Sequence, residues 1–302
     1  MQSKLIQWFP GHMAKTKRLI RESLPLVDMV IEILDARIPY SSHNPDIEKL
    51  AQNKPRIILL NKASLASPSV NSAWKAYYRS KETRCIFTDC NTGEGLGEIL
   101  PAVRELLSAK LDRYNEKGMS GRTLKALVVG IPNSGKSTFI NRMAGSSKAK
   151  TENRPGVTKD KQWVPTKHGI DLLDTPGVLW PKFEDQYVGE NLAITGAIKD
   201  DILDTETIAC VLCNRLEKIA PELFRARYKL TQADIDECEN DYDILTAVGR
   251  KRGFLAGRGE INTERAAITL IEEFRSGKIG RISLEKPEEK CKTEVQDLGK
   301  EV

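Results

Sequence analysis

The chain has 302 residues, 40% hydrophobic and 29% charged, with a net charge of +5 and a pI near 8.8. These values fit a soluble globular protein with room for one large or two ordinary domains. No apolar run reaches the roughly 18–20 residues of a membrane helix, and the opening "MQSKLIQWFPGHMAK" has no signal-peptide core. A cytoplasmic chain without a membrane segment is therefore expected, and its six cysteines are read as reduced thiols. Cys210 and Cys213 form a C-x-x-C inside a helical pattern with no second pair at zinc spacing, so core thiols are expected there.

The first 25 residues are basic, with Lys4, Lys15, Lys17, Arg18 and Arg21 against the single acid Glu22. Residues 12–24 have helical spacing, with Leu19, Ile20 and Leu24 on one side. The strand "MVIEILD" follows, then a short helix near 45–52, the strand "RIILLN", a helix near 69–80 and the strand "RCIFTD". The turn "NTGEGLG" opens a long helix expected to run to about residue 117, and "EKGMSGR" is a polar connector. The strand "LKALVVG", a helix, and the strands within "KQWVPTKH" and "GIDLLDT" come next. Strands alternating with helices and lacking polar alternation predict a mostly parallel sheet covered on both faces.

Beyond residue 180 strand patterns stop, and helices are predicted at 187–198, 204–219, 221–229, 240–252 and 262–277. The last has Asn262 as N-cap, Ala266, Leu270, Ile271 and Phe274 on one face, and Gly277 at its end. The expected organisation is an α/β domain over 1–180 and an all-α domain over 181–285. A charged tail over 286–302 is expected to be disordered. "VGRKRGFLAGR" carries Arg250, Lys251, Arg252 and Arg258 with no acid. Like the basic N-terminus, it suits a polyanion such as nucleic acid, or else a solvated face.

"GIPNSGKS" at 130–137 satisfies G-x-x-x-x-G-K-[S/T] between a strand and a helix. Amides of Asn133, Ser134, Gly135 and Thr138 would meet phosphate oxygens, Lys136 the β- and γ-phosphates, and Ser137 a magnesium ion. "LLDTPG" at 172–177 follows at a second strand end, placing Asp174 toward magnesium and the Gly177 amide toward the γ-phosphate. Thr158 of "RPGVTKD" lies between and would close on both. This order is the first half of a Ras-like GTPase. The second half, a strand, a strand ending in N-K-x-D and a strand ending in a Ser-Ala-like turn, stands in front as "MVIEILDAR", "RIILLNKAS" and "RCIFTDCN". A circular permutation explains this order and brings Asn61, Lys62 and the turn Asp89-Cys90-Asn91 to guanine. Ser64 occupies the place of the guanine-reading aspartate, which predicts weakened but retained preference for GTP, or relaxed base specificity.

The stretches "IQWFPGHMAK", "DARIPYSSHNP", "KPRIILLNK", "GIPNSGKSTFINR", "RPGVTKDKQW", "LLDTPGVLWPKFED" and "LAITGAIKD" together closely resemble the circularly permuted GTPases, and among them the ribosome biogenesis GTPase A (YlqF/RbgA) family. The resemblance covers roughly residues 6–285. It implies a permuted six-stranded P-loop GTPase domain followed by a small helical domain that contacts ribosomal RNA, with GTP and GDP as ligands and the large ribosomal subunit as partner. Nothing in the sequence calls for a dimer, so a monomer is expected. The position after D-x-x-G, a glutamine in Ras-like enzymes, is Val178, which neither donates nor accepts a hydrogen bond. The resemblance nominates His12 to orient water instead, against a role in starting its helix or meeting RNA. It also nominates Asn133 for a potassium ion, against a plain loop hydrogen bond. An RNA-binding module with a non-catalytic nucleotide site is the remaining alternative.

Overall fold

The computed structural model describes residues 12–51, 54–79, 82–119, 121–145, 162–177 and 185–287. The described residues form two compact units, one over 12–177 rejoined by 285–287, the other over 185–284.

The first unit is built on six strands: β1 (Met29–Asp35), β2 (Arg56–Asn61), β3 (Thr83–Phe87), β4 (Leu124–Gly130), β5 (Gln162–Pro165) and β6 (Ile170–Asp174). Their order is β3-β2-β1-β4-β6-β5, all neighbours parallel except the edge pair β5 and β6. Its helices are α1 (His12–Ser23), α2 (Pro39–Ser42), α3 (Pro45–Leu50), α4 (Pro68–Tyr78), α5 (Ile99–Leu106), α6 (Ser108–Glu116) and α7 (Lys136–Ala144). Every residue of β1 is buried, because both faces of the sheet are covered. Met29, Ile31 and Ile33 pack with Ile99 and Val103 of α5 and Phe139 and Ile140 of α7. Val30, on the opposite face, packs with Ile20 of α1, Leu24 just after it and Ile47 of α3, and Leu34 packs with Trp74 of α4. Each such aliphatic side chain contributes roughly 1.5–3 kcal/mol when removed from water.

The helix expected to run unbroken to residue 117 is two helices. Leu107, at φ −106 and ψ 12, leaves helical geometry while staying buried. The apolar face of α5 ends there, and α6 contains no buried residue. The chain therefore bends where full burial gives way to the partial burial of Leu111 and Tyr114. Pro39–Ser42 forms a further short helix that the periodicity is too brief to show.

The second unit is helical: α8 (Gln186–Ile194), α9 (Thr205–Ile219), α10 (Pro221–Tyr228), α11 (Gln232–Asp236), α12 (Asp241–Lys251) and α13 (Thr263–Arg275). Helix α9 packs on both α12 and α13, with Leu212, Cys213, Leu216, Leu245, Leu270 and Phe274 buried. Buried Glu273 ties three helices together, accepting from Arg227 at 2.9 Å, the Tyr228 hydroxyl at 2.9 Å and Arg252 at 2.7 Å. Burial opposes its charge, but these donors hold the carboxyl down at about 2. Among the described residues, no helix is long and apolar enough to cross a membrane.

Glu285 belongs to the first unit. Its carboxylate accepts from the Tyr40 amide at 2.7 Å, the Ser41 amide at 3.1 Å and the Ser41 hydroxyl. Its carbonyl accepts from the Trp74 indole at 3.2 Å. The buried amides that open α2 are thereby satisfied by a residue far along the chain. Lys286 is exposed and Pro287 buried, and the rest of the tail lies outside the described residues.

One buried ion pair gives the sheet unit a pH dependence. Glu32 is the polar residue on the face of β1 shared by Val30 and Leu34, and it accepts from His43 Nδ1 at 3.0 Å. His43 Nε2 meets Glu48 of α3 at 3.3 Å, Glu48 pairs with Arg56 at 3.2 Å, and Tyr78 lies beside the imidazole. Burial alone would lower the imidazole, but Glu32 and Glu48 raise it from 6.5 to about 10. A folded-state value above the unfolded one stabilises in full below the unfolded value and is lost as pH rises through the folded value. The melting temperature should therefore fall progressively from pH 6.5 toward 10, and the fall should be markedly smaller in His43→Gln. Parallel slopes for the two proteins in thermal scans across that range would refute the assignment.

Candidate nucleotide site

The phosphate loop runs from the end of β4 into α7. Asn133 and Gly135 are left-handed, at φ 58 and 102, so the loop coils tightly before the helix begins at Lys136. The Ser134 hydroxyl closes it by donating to the Ile131 carbonyl at 2.9 Å. Lys136 is buried, and its ammonium donates to the Gly130 and Ile131 carbonyls at 3.0 and 2.9 Å. Burial pulls it down to about 8, with Asp174 opposing. Ser137 and Thr138 occupy the first turn of α7 and are partly exposed, where helix amides and the helix dipole favour an anion.

Asp174 ends β6 in register with Val128 of β4, so the strand order itself brings it to the loop. It is 3% exposed, and its Oδ1 has no hydrogen-bond partner among the described residues. Burial raises its pKa, with Lys136 and the Thr175 amide opposing. A buried carboxylate oxygen left unsatisfied costs on the order of 1–3 kcal/mol or more. That cost suits a position where a cation or hydrated cation is part of the working state. Gly177 lies so close that a Cβ there would stand 2.9 Å from the Lys136 ammonium and 3.0 Å from Pro132. Thr158 and Val178 lie outside the described residues.

The segment expected to read the base converges on the same end of the sheet. Asn61, 2% exposed, donates from Nδ2 to the Ser134 carbonyl at 2.7 Å. Its Oδ1 accepts from the Cys90 amide at 2.9 Å and the Thr88 hydroxyl at 3.5 Å. One side chain thus joins β2, the turn after β3 and the phosphate loop. Gly135 is required by this contact as well as by its φ, since a Cβ would lie 2.1 Å from Asn61 Nδ2. Lys62 is left-handed at φ 61, and its ammonium pairs with Asp35 at 2.9 Å. Arg37 grips the same carboxylate in a fork, at 2.9 and 2.7 Å. Burial would raise the Asp35 carboxyl, but the two cations hold it well below the usual carboxylate range. The sequence marks Asp35-Ala36-Arg37 only as a strand end. Its signal was an acid and a base two residues apart closing a mostly apolar strand.

The turn 88–92 uses its own amides within the protein. The Cys90 amide is taken by Asn61, and the Asn91 amide donates to Asp89 Oδ1 at 2.9 Å. Ser64 is exposed, and its hydroxyl donates to Asp89 Oδ2. Asp89 itself is 4% exposed. This contact, between residues 25 apart in sequence, could not be seen from either motif alone.

His12 opens α1, and the side chains of His12, Lys15 and Arg258 lie outside the described part. Arg18 is exposed and pairs with Glu22 at 2.7 Å. Of the basic stretch near 250, Lys251 pairs with Asp234 at 2.7 Å and Arg252 with Glu273, whereas Arg250 is exposed. Two of those four cations are therefore engaged within the helical unit.

A family model described as "50S ribosome-binding GTPase" matches residues 125–236. A Bacillus pumilus protein named ribosome biogenesis GTPase A is 47% identical over 283 residues, covering 94% of this chain and 99% of that protein. Its namesake from Bacillus licheniformis is 48% identical with the same coverage. The crystal structure of GNP-bound YlqF from T. maritima superposes with a TM-score of 0.61 at 29% identity, covering 91% of this chain and 99% of that one.

The steric coupling between Asn61 and Gly135 makes a checkable cycle. Gly135→Ala should lower stability by roughly 1–3 kcal/mol, from the strained φ and the collision. In an Asn61→Ala background the obstructing amide is gone, so the same change should cost less. Urea unfolding midpoints of the four proteins measure this, and strictly additive losses would disprove the contact.

Proposed function

The chain belongs to the ribosome biogenesis GTPase A family, and from that premise we propose how its own residues serve a GTPase of ribosome assembly. The observation that carries the reading is the single bond from Asn61 to the Ser134 carbonyl. It joins a guanine-reading segment to a phosphate loop, so base and phosphates are held in one register.

In this reading Lys136 leaves the Gly130 and Ile131 carbonyls to meet the β- and γ-phosphates, whose charge restores its full protonation. Amides of 133–138 and of Gly177 receive phosphate oxygens. Ser137, Thr158 and Asp174 hold the magnesium ion that accompanies the nucleotide, and the unpartnered Asp174 oxygen supports this. Magnesium neutralises charge on the phosphates when bound. Asn133, in its left-handed conformation, is proposed as a potassium ligand beside them. Asn61, Lys62 and the turn 89–91 frame guanine.

Closure of Thr158 and the segment after Asp174 around GTP favours binding to the maturing large subunit and its RNA, and hydrolysis releases the protein. Lys15, Arg18, Arg250 and Arg258 are the cations proposed to face RNA, with Lys251 and Arg252 holding the helical surface beside them. The protein acts as a monomer in the cytoplasm. Val178 cannot orient water, so intrinsic turnover is slow and His12 supplies that role on the ribosome.

Two measurements test this. Large ribosomal subunits should raise GTP turnover of the wild type, and His12→Ala should lose roughly a hundredfold of the stimulated rate while keeping its GTP affinity. Absence of both stimulation and nucleotide-dependent subunit binding would sink the proposal. Turnover should also be faster in potassium than in sodium chloride at equal ionic strength, with the difference abolished in Asn133→Ala. Equal rates in the two salts for the wild type would remove potassium from the reading.

A further inference from the structure

The missing guanine-reading acid has a counterpart one strand away. The familiar pattern puts an aspartate four positions along N-K-x-D and a serine in the Ser-Ala turn. This chain has Ser64 in the first place, and the turn after β3 carries Asp89. The hydroxyl and a carboxylate of that turn come together in the structure, with Ser64 donating to Asp89 Oδ2.

We propose that Ser64 and Asp89 act as one split guanine-reading group, with the Ser64 oxygen meeting guanine's N1–H and 2-amino face and the Asp89 carboxylate supplying the charge behind it. The inference rests on the GTPase reading above and deepens it at the base-specificity position.

The argument is one of protons and lone pairs. A serine hydroxyl is ambiguous, able to donate or accept. Here its single proton is committed to Asp89, so its remaining lone pairs can only accept. Guanine offers two donors on that edge, N1–H and the 2-amino group, whereas adenine offers an acceptor at N1 and no 2-amino group. An obligate acceptor therefore favours guanine, and a carboxylate bonded directly behind it strengthens that acceptor. The exposures match the roles, since Ser64 is exposed while Asp89 is 4% exposed. Asp89 cannot turn away from Ser64, because its Oδ1 accepts the Asn91 and Thr92 amides at 2.9 and 3.3 Å. The turn thus fixes one oxygen and leaves the other aimed at Ser64. Asp89 is a positioning residue here, and Ser64 is the contact.

The register of the site supports this placement. Ser64 lies two residues past Lys62, whose ammonium is fixed by Asp35, and Asp89 lies one residue before Cys90, whose amide is fixed by Asn61. Both members of the pair are therefore held by the same scaffold that frames the base.

Asp89→Asn is the informative change. An asparagine keeps an oxygen for the Asn91 and Thr92 amides, so the turn survives, but its amide can now donate to Ser64. The serine proton is then free to point at the ligand. Xanthine carries a carbonyl where guanine has its 2-amino group, so the freed hydroxyl suits xanthine instead. Equilibrium titration with fluorescent GDP, XDP and ADP should show the wild type preferring GDP. Asp89→Asn should lose on the order of ten- to a hundredfold in GDP affinity and shift the ratio of GDP to XDP affinity toward XDP. Ser64→Asp alone should also weaken GDP, because two carboxylates then meet. The double variant Ser64→Asp, Asp89→Asn returns the acid to the other strand and should recover GDP affinity to within a few-fold of wild type. Ser64→Ala, which leaves the turn untouched, should reduce the ratio of GDP to ADP affinity. The proposal is overturned if Asp89→Asn keeps its GDP affinity, if the double variant binds no better than Asp89→Asn, or if Ser64→Ala leaves the GDP to ADP ratio unchanged. A wild type that binds no guanine nucleotide would instead overturn the GTPase reading itself.

Discussion

The carboxamide of Asn61 is the constraint on which the nucleotide site depends. It donates to the carbonyl of Ser134, 73 residues away, and accepts from the Cys90 amide. Three strand ends are thereby fixed relative to one another by one buried side chain whose donor and acceptor are both used. A buried amide so engaged is costly to misplace, because any displacement leaves polar groups unsatisfied. Permutation changes which elements follow each other in the chain. It does not change which ends of a parallel sheet lie together, so a contact that once joined a late segment to an early one survives with the order reversed.

Around that contact the charges are arranged unequally. Asp35 is saturated, held by Arg37 and Lys62, and serves as fixed scaffolding for a lysine in a left-handed turn. Lys136 and Asp174 are less settled. The lysine leans on two backbone carbonyls, and the carboxylate retains an oxygen with no hydrogen bond among the described residues. Both are pushed toward their neutral forms by burial. Groups proposed to accept a triphosphate and a divalent cation gain most from ligands when the protein itself satisfies them least.

Much of the sheet was legible because parallel strands buried on both faces read as mostly apolar runs that end in motifs or turn signals. The phosphate loop and the acid of β6 were legible because their chemistry fixes both residue type and spacing. What escaped was non-local or too short. The fork of Arg37 on Asp35 and the bond from Ser64 to Asp89 depend on which strand ends are neighbours, which periodicity does not encode. Helices α2 and α11 span little more than a turn, below the length at which a repeat becomes visible. The bend at Leu107 escaped because an apolar residue marks it. Leu107 stays in the core while the helix that follows is only partly buried, and nothing in its side chain announces a helix end.

The clasp formed by Glu285 bears on modularity. A reading by composition divides the chain once, near residue 180, and suggests two modules that a single stop codon would separate. The carboxylate that completes the amides of Tyr40 and Ser41, and the carbonyl that receives the Trp74 indole, lie on the far side of that division. The helical unit is thus an interpolated segment, entered from one strand-bearing stretch and left into another piece of the same body. Truncation at 180 would strip the sheet unit of a part of itself, so an isolated version of it must retain the Glu285 segment by a shortcut across the helices. Evolutionary exchange of the helical unit faces the same requirement, because a replacement must end where Glu285 can still reach its amides.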